Sequence, residues 1–136
     1  RNNKKKIFST DKLYNGKITQ ELLNEFKMPI LTTLIRKKIF KKHRFEKNYN
    51  IIGDFDFFLK LSLSESFHPL QEPLLTYRHH PNNFTNNNYD TYVEELKNWI
   101  KFNKSEFKTI NNFNHLKNNI LKLKIKKYLR YFFNNS

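Results

Sequence analysis

Ile51-Ile52-Gly53-Asp54-Phe55-Asp56-Phe57-Phe58-Leu59-Lys60-Leu61 sets two carboxylates at the mouth of an otherwise apolar run. Gly53 interrupts the strand-like Ile51-Ile52 pair, and Asp54 is a residue type favoured at a helix N-cap. Asp56 falls in the first turn, where a negative charge meets the helix dipole, and Lys60 stands one turn further on as an i+4 partner. Phe55, Phe57, Phe58, Leu59 and Leu61 leave almost no solvent face, so the stretch predicts a helix pinned inside the protein. Asp54 then has two readings. It is a cap that satisfies orphan N–H groups, or a general base held out from a rigid helix end.

Downstream runs Phe67-His68-Pro69-Leu70-Gln71-Glu72-Pro73-Leu74-Leu75-Thr76-Tyr77-Arg78-His79-His80-Pro81-Asn82-Asn83-Phe84-Thr85. Pro69 restricts Phe67 to Leu70 to an edge strand, while the alternation in Leu74 to His79 predicts a strand. Five asparagines between Pro81 and Asn88 mark an irregular loop.

Upstream, Thr19, Leu22, Leu23 and Phe26 recur at helical spacing, and Pro29 closes that helix. Ile30 to Ile35 is apolar and β-branched and predicts a buried strand, with a helical turn over Arg36 to Phe40. Arg36 either approaches a phosphate or belongs to a solvated basic face with Lys37, Lys38, Lys41 and Lys42. From Asp90 the spacing of Tyr92, Val93, Leu96, Trp99 and Ile100 predicts a helix with Asp90 or Thr91 as cap and Glu94 and Glu95 in its first turn. Asn111-Asn112 breaks it. Phe113, Leu116, Ile120, Leu121, Ile125, Tyr128 and Phe132 then mark a second helix, basic on its other side through Lys117, Lys122, Lys124, Lys126, Lys127 and Arg130.

The linked pair, the Asp54 helix and the Tyr77-Arg78-His79-His80 segment, resembles the second half of family-two glycosyltransferases of the A-type fold. The resemblance runs from about Gly16 to Trp99. It implies an α/β fold, with residues 1–88 as the acceptor-side catalytic half and 89–136 as a C-terminal helical extension. In that family an acceptor hydroxyl attacks the anomeric carbon of a nucleotide-sugar with inversion, and a divalent ion bridges the diphosphate.

Carried over position by position, the resemblance makes Asp54 the base. Gly53 stands where the family has Glu, and Asp56 is structural support. Arg78 either approaches the diphosphate, a role that suits a guanidinium fork, or pairs with Asp54 or Asp56. His80 completes the metal shell or touches the leaving phosphate, and an imidazole ligand suits manganese better than magnesium. The family's metal motif, Asp-x-Asp at the end of an apolar strand, is not found upstream of Gly16. The divalent metal, manganese or magnesium, is therefore expected mainly on a nucleotide-binding half outside this sequence. The fragment alone is expected to be inactive, its parent acting on a glycan or lipid-linked acceptor.

Composition bounds the alternatives. The 136 residues include 14 Phe and no Cys, which allows a core and excludes disulfides and thiolate chemistry. The net charge is +14, unevenly spread. Residues 1–50 hold 14 basic against 4 acidic side chains, 51–100 hold 3 against 7, and 101–136 hold 9 against 1. Lysine-rich ends with interleaved aromatics also suit a nucleic-acid-binding module, which the acidic middle opposes. The C-terminal helix covers the domain or lies on an anionic membrane surface. With no apolar run of about eighteen residues and no leader pattern, a cytoplasmic protein is expected, peripheral to the inner face of the membrane if that helix binds lipid.

Overall fold

The computed structural model of the chain describes residues 13–73, 88–107 and 113–134. They form four helices, α1 (Thr19–Asn24), α2 (Gly53–Ser64), α3 (Tyr89–Asn103) and α4 (Asn114–Asn134), with 3-10 turns at Ile30–Thr32 and Lys37–Lys41. Among the described residues, β-pairing is limited to one antiparallel bridge. Gly16 N–H donates to the Phe67 carbonyl at 2.7 Å and Phe67 N–H returns to Gly16 at 2.9 Å. Gly16 takes φ +86°, the left-handed region in which a side chain is strained. The described part is thus a small helical domain, and the sheet of an α/β fold is not shown by it.

The α2 helix lies at the centre because its sequence leaves it no dry alternative. Phe57, Phe58 and Leu59 are each at most 1% exposed, and burying such a side chain contributes about 1.5–3 kcal/mol. Phe55 meets Trp99 of α3 edge-on at 4.9 Å and Phe26, beyond α1, at 5.4 Å; Phe57 stacks on Phe45 at 4.1 Å. Leu22 and Leu23 of α1, Leu96 and Trp99 of α3, and Leu116 and Ile120 of α4 join one continuous core with it. A polar clasp fixes α1 on α2: the Thr19 hydroxyl donates to the Ser62 carbonyl at 3.1 Å, and the Ser62 hydroxyl lies 2.9 Å from the Thr19 oxygen.

The expected buried strand over Ile30 to Ile35 is corrected. Pro29 leads into a 3-10 turn, with Thr32 N–H bonded to the Pro29 carbonyl at 3.0 Å. Ile30, Leu31 and Leu34 are exposed, Leu34 completely. β-branched composition does not make a strand without a neighbour for its ladder, and no described segment supplies one. The helical turn expected after Arg36 is present, as the second 3-10 turn, with Arg36, Lys37, Lys38, Lys41 and Lys42 exposed around it.

Helix starts are also shifted. The α2 helix begins at Gly53, with Ile52 in the cap position and no side-chain cap bond, so Asp54 sits inside the first turn. Because α3 begins at Tyr89, Glu95 lies in its second turn, where it is buried. The first half of α4 packs, through Leu116 and Ile120, whereas Leu121, Ile125, Tyr128, Leu129 and Phe133 are each at least half exposed. No helix among the described residues is long and apolar enough to cross a membrane.

Candidate functional site

A helix N-terminus presents N–H groups with no intrahelical partner, and at α2 two carboxylates meet that demand. Glu95 reaches across from α3. Its Oε1 accepts from Asn50 N–H at 2.7 Å, and its Oε2 accepts from Ile51 at 3.0 Å and Ile52 at 3.1 Å. Asp54 accepts the N–H of Phe55 at 2.8 Å through Oδ1. The work is thereby divided: Asp54 serves Phe55 inside the first turn, while Glu95, arriving from another helix, holds the cap residue Ile52 and the two residues before it.

Asp54 is half-buried, and burial pushes its carboxyl above the usual carboxylate range, against the lowering effect of the backbone N–H groups at Phe55 and at Asp54 itself. Tyr92 of α3 is its electrostatic neighbour. Burial first, and the Asp54 charge second, push the Tyr92 phenol up. A carboxylate at a fixed helix end is placed to accept a proton, and burial raises its affinity for one.

Asp56 faces the other way, into the core. It is 1% exposed, and its Oδ1 receives the Trp99 indole N–H at 2.8 Å and the Lys60 ammonium at 2.8 Å. The spacing-based Asp56–Lys60 pair is present, whereas the Trp99 bond carried no sequence signal. Asp56 Oδ2 has no hydrogen-bond partner. Around this pair, burial, followed by the Asp56 charge, pushes the Tyr49 phenol up. A pocket of about 360 Å³ lies beside it, with Tyr49, Lys60, Glu95 and Asn103 in its lining; Asp54 is not among its walls.

Asp54-Phe55-Asp56 does not fit a divalent metal. Asp56 Oδ1 is already taken by a cation and an indole, and its side chain is closed off from solvent, so the two carboxylates do not converge on one ion. No group of three or more His, Asp or Glu among the described residues could hold a metal.

Gly53 has open space where a Cβ would stand, so it is not required there by crowding. Arg78 and His80, and with them the predicted strand at Leu74 to His79 and the asparagine loop, lie outside the described residues. The residues that sequence reasoning missed are Glu95 and Trp99. Their helical spacing was visible, but their contacts, 43 to 45 residues away in sequence, were not.

Comparison with protein-family models, curated proteins and solved structures gave no match.

Proposed function

We propose that the chain is the acceptor-side part of an A-type glycosyltransferase domain, with Asp54 as the base. The observation that carries this reading is a half-buried carboxylate of raised pKa, set in the first turn of a phenylalanine-rich helix whose entry segment is held by Glu95. In the reaction, Asp54 takes the proton of an acceptor hydroxyl as its oxygen bonds to the anomeric carbon, and the nucleoside diphosphate leaves from the opposite face with inversion. Arg78 and His80, at the motif positions of the resembled family, would serve the leaving diphosphate. No step is assigned to a metal, because the described residues do not form a site for one. The exposed apolar side chains Ile30, Leu31 and Leu34 support the same reading. They leave an apolar surface on the 3-10 turn that a further part of the protein would cover.

The test uses the longer chain that carries a nucleotide-binding half. Asp54→Asn there should lower sugar transfer by about 10²–10⁴-fold while leaving donor binding unchanged. Transfer at the parent rate by Asp54→Asn rejects the assignment of the base. For the 136-residue chain alone, calorimetry should detect no nucleotide-sugar binding; micromolar affinity would overturn the partial-domain reading.

A further inference from the structure

The exposed side chains of α4 are ordered. At about 100° per residue, Leu121, Ile125, Tyr128, Leu129 and Phe133 fall within an arc of about 140° and form a stripe about 18 Å long. Their exposures run from 50% at Ile125 to 79% at Phe133, so the domain does not cover the stripe. The buried side chains Leu116 and Ile120 occupy a different arc of the same helix, so α4 has two apolar faces and the core uses one.

The charge on and beside the stripe identifies its partner. By the same helical angle, exposed Lys124 stands about 40° beyond the Tyr128 edge of the stripe, and exposed Lys122 falls within it, between Leu129 and Phe133. The helix is held to α3 by other lysines: Lys127 pairs with Asp90 at 2.6 Å, and Lys126 lies 5.7 Å from the centre of the Tyr89 ring. From Lys108 to Ser136 the sequence has no acidic residue. A second copy docking through this face would set lysine against lysine with no carboxylate from either helix to offset the repulsion. A surface that is apolar inside and anionic at its boundary matches both features, as acyl chains take up the stripe and lipid headgroups meet the lysines.

We propose that α4 seats this protein on an anionic lipid surface, its axis parallel to the membrane plane and the Leu121-to-Phe133 stripe facing the acyl chains. The inference stands on α4 alone and does not depend on the role of Asp54.

Vesicle flotation of the full chain tests it, using phosphatidylcholine alone and phosphatidylcholine with a minority of phosphatidylserine. The protein should float with the mixed vesicles, remain below with the neutral ones, and be released by salt. Leu121→Gln, Ile125→Gln and Leu129→Gln together should abolish flotation without lowering the melting temperature, since all three positions are at least half exposed and glutamine suits a helix. Lys122→Gln and Lys124→Gln should each weaken partitioning about five-fold. Failure to float with anionic vesicles, or equal flotation of the triple variant, overturns the proposal. So does a dimer, seen by analytical ultracentrifugation, that the triple variant dissolves in a protein that binds no vesicles; the stripe would then belong to a second copy.

Discussion

Glu95 accepts the backbone N–H of Ile52 at 3.1 Å across 43 residues of intervening chain, and so closes the helix that presents Asp54. Two other N–H groups, of Asn50 and Ile51, end on the same carboxylate. Glu95→Ala takes the acceptor from all three N–H groups at once, and a buried N–H left unsatisfied costs about 1–3 kcal/mol. We expect a loss of about 3 kcal/mol in urea unfolding, with Glu95→Gln intermediate because one side-chain oxygen survives. A loss below about 0.5 kcal/mol for Glu95→Ala, the size of an ordinary surface substitution, would show that solvent replaces the carboxylate.

The raised pKa of Asp54 makes its ionised form a burden on the fold. The folded protein holds the proton more tightly than the unfolded chain, so stability falls as pH rises through the carboxylate range and stays lower above the folded-state pKa. Asp54→Asn, which keeps an oxygen for the Phe55 N–H, should therefore melt at a higher temperature at pH 7. That advantage should disappear below the unfolded pKa of about 3.9, where both side chains are neutral. Thermal melts at the two pH values decide, and a variant less stable at pH 7 would mean that the carboxylate is needed for capping.

Trp99 is the single tryptophan, and it is fully buried with its indole N–H on Asp56. Trp99→Phe retains much of the packing but takes a donor from a buried charge, a change worth about 1.5–3 kcal/mol for a charge-assisted bond. Asp56→Ala should cost more, about 3–5 kcal/mol, because the pair with Lys60 is broken as well. In Asp56→Asn the tryptophan emission should remain that of a buried indole until the unfolding transition. A red-shifted native spectrum would indicate that the carboxylate, and not the surrounding phenylalanines, holds Trp99 in place.

Leu34 is completely exposed, so Leu34→Ser should change the stability of this chain by less than about 0.5 kcal/mol. In the longer protein of the proposed function the same substitution should be costly, about 2 kcal/mol or more, since the remainder of that protein would then bury the side chain. Equal, negligible effects in both would count against the covering segment.

Much of the fold was legible in the residues. Leu22 and Leu23, the phenylalanine run after Asp54, and the Leu96-Trp99 spacing each announced a helix and its inward side, because helical periodicity is local and the core is apolar. The segment from Ile30 to Ile35 was misread for the complementary reason: a strand depends on a partner, and composition says nothing of whether one is near. At the candidate site, Asp54, Asp56 and the i+4 lysine could be picked out, since their relation lies within one helix. Arg78 and His80 rest on the motif alone.

The sequence by itself determined which segments would coil and which charges they would carry, the lysine-rich α4 among them, because side-chain spacing along a helix follows from backbone geometry. Tertiary structure alone decided that Glu95 would hold the entry to α2, that Asp56 would turn inward to Trp99 while Asp54 stayed near the surface, and that half of α4 would go uncovered. Each of these depends on how distant helices pack to bury phenylalanine and tryptophan, and that packing brings together groups that no local pattern relates.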